Sequence, residues 1–174
     1  MKNQAKMFAF LTVIYLVLCT GLAAQTAGEK MKPDEQLLQE AKLLIFDKKW
    51  GQAEQKLSEL LNRYPHSTFY AQALFYKGKC LSEQPGKELQ AWQAFEEFLN
   101  RRDKPESLVE EAQISSLDLA SNLYNHGQTS FGRVLTDRLN DQSRVIRYYA
   151  AFKLSYLSDK NMASRAVPVL KQIM

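Results

Sequence analysis

Residues 36–65 read QLLQEAKLLIFDKKWGQAEQKLSELLNRYP, and residues 73–105 read ALFYKGKCLSEQPGKELQAWQAFEEFLNRRDKP. Leu37, Ala41, Ala53, Leu57 and Pro65 of the first stretch return in the second as Leu74, Gly78, Ala91, Phe95 and, more loosely, Pro105. The offsets run 37, 37, 38, 38 and 40. Self-similarity at a fixed period of this length marks a supersecondary unit that cannot bury its apolar face alone and stacks on its neighbour. The chain is therefore expected to be an all-α solenoid of stacked antiparallel helical hairpins.

Local signals place the helices of the two copies. Asp34 offers a cap, and Leu37, Leu38, Ala41, Leu44 and Ile45 follow at helical spacing. Residues 47–51 read as a turn, and a second helix is expected from about Gln52 to Tyr64. Pro65 stops it, since proline has no N–H to donate and clashes with the preceding turn. Ser67 or Thr68 can cap an aromatic-rich third helix over about 69–81. Gln84-Pro85-Gly86 forms the next turn, and a fourth helix to Asn100 carries Ala91, Trp92, Phe95, Phe98 and Leu99 inward. Ala41, Ala53, Gly78 and Ala91 stand where paired helices must approach closely.

Residues 34–104 resemble two tetratricopeptide repeats, which implies a right-handed α-solenoid. The resemblance rests on the small residues Ala41 and Gly78, on Trp50 as the aromatic before the second helix, and on Ala53, Leu57 and the closing Pro65. The second copy departs from the pattern by one extra residue near Pro85-Gly86 and by a late proline. Tyr64-Pro65-His66-Ser67 leading into an aromatic helix is similar to repeats of bacterial cell-envelope proteins such as the Tol-Pal accessory protein. Beyond the charged break at residues 101–105, Ser107 can cap a long helix ending at Asn125-His126-Gly127. Phe131, Val134, Leu135 and Leu139 continue the helical period. Residues 141–154 then resemble a HEAT-type repeat, with a turn Asp141, an Ile146-Arg147 pair, and later Ala and Leu. That resemblance implies that Arg147 reaches back to Asp141. Ala166-Val167-Pro168-Val169-Leu170 looks like the proline-bearing first helix of a further unit, so residues 105–174 are read as HEAT-like repeats, incomplete at the C-terminus, with irregular tetratricopeptide hairpins as the alternative.

The N-terminus points to export. Lys2 and Lys6 precede Phe8–Leu18, about 11 apolar residues, and small residues follow to Ala24. That core is shorter than the roughly 18–20 apolar residues that cross a bilayer. Residues 1–24 are read as a cleaved signal peptide and 25–33 as a linker, which implies a periplasmic or secreted protein. Two readings compete: an uncleaved anchor, and acylation at Cys19, for which Leu18 is a poor preceding residue. With the signal removed only Cys80 is left, so no internal disulfide can form. Stability must come from helix packing.

Nothing in the sequence supports catalysis or a cofactor. His66 and His126 each lie at a turn without Cys or His partners at ligand spacing. Glu96-Glu97 and Glu110-Glu111 are adjacent on helices and point about 100° apart, so they do not converge as an acid–base pair. The seven glycines are scattered rather than gathered in a phosphate loop. A catalytic, metal or cofactor role is accordingly assigned to no residue.

Binding is better supported. Lys42 and Lys79 follow the small residue in each copy, with Phe46 and Phe75 beside them. Together they predict a concave groove in which lysines grip an acidic group of a protein or peptide segment and aromatic rings supply apolar contact. Charge is uneven: residues 25–126 hold 13 basic and 16 acidic residues, and residues 127–174 hold 8 and 3. The basic arm fits an acidic protein or an anionic envelope surface, and export argues against nucleic acid as the phosphate-bearing partner. The expected function is an exported interaction scaffold, with a structural or assembly subunit of an envelope complex as its alternative.

Overall fold

A computed structural model describes residues 31–172. The expected signal peptide with Cys19, most of the linker and Met174 lie outside the described residues. Nine α-helices fill the described part: α1 Pro33–Phe46, α2 Trp50–Arg63, α3 Tyr70–Ser82, α4 Glu88–Asn100, α5 Val109–Asn125, α6 Phe131–Asp137, α7 Arg144–Ser155, α8 Lys160–Ser164 and α9 Val167–Leu170. Short 3₁₀ turns precede α5 and follow α6. Among the described residues there is no strand, and no helix is long and apolar enough to cross a membrane. From α1 to α7 each helix packs on the next, and α5 also packs on α7.

Two apolar cores result. The first gathers α1–α4 around Phe75, Phe95 and Phe98 and takes Ala112 and Leu119 from α5. The second joins Leu117, Ala120 and Leu123 of the same helix to Phe131, Leu135, Ile146, Ala150 and Leu154. Helix α5 is thus a wall common to both. Partly buried Trp92 of α4 packs against both cores. Its ring stands edge-on to Phe131, centroids 4.9 Å apart.

The small residues sit where the repeat requires them. Ala41, Ala53 and Ala91 are fully buried. A methyl group at Gly78 would lie 3.0 Å from three carbons of the Phe95 ring, so glycine is what lets α3 and α4 close. Helix ends also follow their signals. Gly127 takes φ +92°, and the amides of Gly127 and Gln128 turn back to the carbonyls of Tyr124 and Leu123, closing α5.

Some local expectations are corrected. Trp50 opens α2 rather than lying in a turn, because Lys48 adopts φ 57° and reverses the chain within three residues. Pro33 starts α1 one residue before Asp34, which accepts a 2.6 Å hydrogen bond from Ser67 Oγ. Ser67 Oγ in turn accepts from the amide of Phe69, just ahead of α3. Ser107 lies in the 3₁₀ turn before α5 and caps nothing.

Cys80 is fully buried in the first core, and burial pushes its thiol up to about 12. Its expected behaviour is inertness: thiol reagents should leave Cys80 unmodified in the native protein at pH 8 and label it on unfolding in guanidinium. Rapid native labelling would show that α3 opens locally.

Candidate functional site

Helices α1, α3, α5 and α7 are tied to one another by side chains that cross from each to the next. Lys42 of α1 places its ammonium 5.2 Å from the ring centroid of Tyr76 on α3. Lys79 of α3 pairs with Glu111 of α5 at 2.7 Å. Lys153 of α7 pairs with Asp118 of α5 at 2.5 Å. The two lysines at equivalent repeat positions thus reach across by different contacts, Lys42 to an aromatic face and Lys79 to a carboxylate.

The four expected contact residues do not form one surface. Phe46 is 87 % exposed at the end of α1. Phe75 is 1 % exposed, with its ring against Tyr76, Phe95 and Phe98. It belongs to the core and offers no surface contact, because α3 is covered on two sides by α2 and α4. Lys79 is engaged by Glu111, but both side chains are substantially exposed, and such pairs contribute only about 0–1 kcal/mol. An incoming carboxylate could replace Glu111 at small cost.

A groove of about 550 Å³ lies between α5 and α7, lined by Asp118, Ser121, Asn122, Asn125, Phe152, Lys153 and Tyr156. Its polar end is ordered. Tyr149 Oη donates to Asp118 Oδ1 at 2.6 Å, on the oxygen that also receives Lys153. Burial, the hydrogen bond to Asp118 and the charge of that carboxylate push the Tyr149 phenol well above its ordinary range, so it remains a donor at any physiological pH. The Lys153 ammonium also lies over the Tyr149 and Phe152 rings at 5.4 and 6.0 Å. At the other end Phe152 and Tyr156 are exposed, with ring centroids 4.8 Å apart. The carboxamides of exposed Asn122 and Asn125 can each donate and accept, as a peptide backbone requires.

The charge of the C-terminal arm is unevenly compensated. Asp137 pairs with Arg133 and Asp141 with Arg138, while Asp159 accepts from Tyr124 Oη and caps α8. Those hydrogen bonds hold the Asp159 carboxyl below its ordinary range. Arg147 does reach Asp141, but through its backbone carbonyl at 2.7 Å and that of Gln142 at 3.0 Å. The Asp141 carboxylate goes to Arg138 and to the amide of Ser143. Arg144, Lys160 and Arg165 pair with no carboxylate among the described residues.

His66 is exposed in the turn after Pro65, and His126 Nδ1 lies 2.8 Å from the carbonyl of Asn122 at the end of α5. Among the described residues no three His, Cys, Asp or Glu side chains converge as metal ligands would. Sequence reasoning missed the α5–α7 groove. Its one advance signal was the row Tyr148, Phe152, Tyr156 at four-residue spacing. Comparison with family models, curated proteins and solved structures yields no match to this chain.

Proposed function

We propose that this protein is an exported scaffold that holds an extended segment of a partner protein on the face formed by α1, α3, α5 and α7. In this reading the helices form a right-handed solenoid of hairpins, tetratricopeptide-like over α1–α4 and HEAT-like from α5 onward, and no residue is catalytic. The observation that carries it is the α5–α7 groove, where exposed aromatic rings and carboxamides lie side by side on a preformed wall. A surface ordered before binding loses little conformational freedom when it is occupied. Lys42 extends the same face toward α1.

Photo-crosslinking tests this directly. A benzoylphenylalanine placed at Asn122 or at Lys42 is expected to give a discrete protein adduct in envelope fractions. The same group at Glu83, in the turn after α3, is expected to give none. Adducts from all three positions alike, or from none, would sink the proposal.

A second reading, a subunit that packs laterally into an envelope assembly, is favoured by the outer end of α1. Phe46 and Leu43 are 87 % and 68 % exposed, and Leu43 lines a cleft with Leu44, Gln52, Gln55 and the paired Glu40 and Lys56. Monomeric light scattering at high concentration would count against it.

A further inference from the structure

We infer that the α5–α7 groove selects an acidic segment that carries a large apolar side chain; the inference rests on the scaffold reading above and names the chemistry of the partner. The argument starts from helix α7. Arg144, Tyr148, Phe152 and Tyr156 recur at every fourth residue, which sets them in a slowly slanting row on one side of the helix. Contacts along the row bear this out. The Arg144 guanidinium lies 5.2 Å from the Tyr148 centroid and donates from Nε to Tyr148 Oη at 3.1 Å, and Phe152 meets Tyr156 at 4.8 Å. The row has an apolar end inside the groove and a cationic end outside it.

The cationic end is unpartnered in a telling way. The first turn of α7 holds Arg144 and Arg147 and no acidic residue, although a helix N-terminus favours negative charge. Arg147 spends itself on two backbone carbonyls, whereas Arg144 makes one hydrogen bond, to a neutral phenol. Each acidic side chain of the arm has a partner of its own among the described residues, which leaves Arg144 open to a carboxylate from another molecule.

The geometry sets a spacing. Eight residues of α-helix separate Arg144 from Phe152, about 12 Å at 1.5 Å per residue. An extended chain covers that length in about four residues at roughly 3.3 Å each. The segment therefore places Asp or Glu about four residues from the apolar side chain that sits on Phe152 and Tyr156. At the Phe152–Tyr156 end, Asn122 and Asn125 can pair with its backbone. Asp118 does not oppose such a partner, because Lys153 and Tyr149 already hold its charge.

The test uses a phage-displayed library of random dodecapeptides selected on the intact chain, followed by titration of the selected peptides. Winners are expected to be acidic, to carry Phe, Trp, Tyr or Leu about four residues from an Asp or Glu, and to bind more weakly as salt rises. Phe152→Ala/Tyr156→Ala is expected to weaken them at least tenfold. Arg144→Gln is expected to remove most of their preference over lysine-for-acid counterparts while leaving helix content unchanged. Basic or neutral winners, affinities untouched by both variants, or no winners at all would each overturn the inference. So would binding confined to phosphatidylglycerol vesicles or to chitotetraose. If Asn122 crosslinks a partner protein whose binding ignores both variants, this inference falls and the scaffold reading stands. If no position crosslinks, both fall.

Discussion

Phe95→Ala is expected to be among the most destabilising single substitutions in the chain, lowering the unfolding free energy by about 3–5 kcal/mol. Phe95 is fully buried on α4 and stacks edge-on with Phe75 at 5.9 Å. Its ring also fills the space left by the missing side chain of Gly78. Truncation would remove the close contact between α3 and α4 and leave a cavity beside Phe75. The complementary change, Gly78→Val, presses from the other side: a Cβ alone sits at 3.0 Å from the ring, and two further methyl groups have nowhere to go. Urea unfolding followed by circular dichroism would measure both. A loss below about 1 kcal/mol for Phe95→Ala would mean that α3 and α4 do not close on each other as described.

Trp92→Ala is expected to do something different. Its indole packs on both cores and meets Phe131 directly. Its Nε1 is buried without a hydrogen-bond partner among the described residues, so the ring is retained there for its packing. Removing it should cost about 2–4 kcal/mol, less than a fully buried tryptophan because part of the ring is exposed. The cost should also fall unevenly. Hydrogen exchange is expected to accelerate in α6 and α7 while α1–α3 keep their protection, since the first core retains its phenylalanine cluster. Uniform acceleration across all helices would show that the two cores unfold as one unit despite the lost bridge.

Much of the fold was legible in the sequence because its punctuation is strong. Pro65, Gly86 and Gly127 end or reverse helices through constraints that tertiary packing does not override. The paired small residues marked the close approaches for the same reason: only Ala or Gly fits them. Phe75 was misplaced because α3 buries Ala71, Ala73, Leu74, Phe75, Gly78, Cys80 and Leu81, which spread over more than half of its circumference. A helix packed on two sides has no single apolar stripe, so spacing alone cannot say which aromatic faces water. The groove was hidden for another reason. Its walls come from residues about thirty apart, as in the Tyr149–Asp118 bond, and only folding brings them together. Asn122 and Asn125 looked like ordinary surface until Phe152 and Tyr156 stood opposite.

The position of α5 bears on how this chain could be divided. The charged loop Arg101–Lys104 looks like a seam, and a cut there would seem to release two independent pieces. Yet Ala112 and Leu119, which complete the first core, lie beyond that loop, on the helix that also supplies Leu117, Ala120 and Leu123 to the second. The seam in sequence is therefore not the seam in folding. An N-terminal piece becomes whole only once it includes α5, and the remainder then lacks the surface it folds against, so any shuffling of these helices between proteins would have to carry α5 twice.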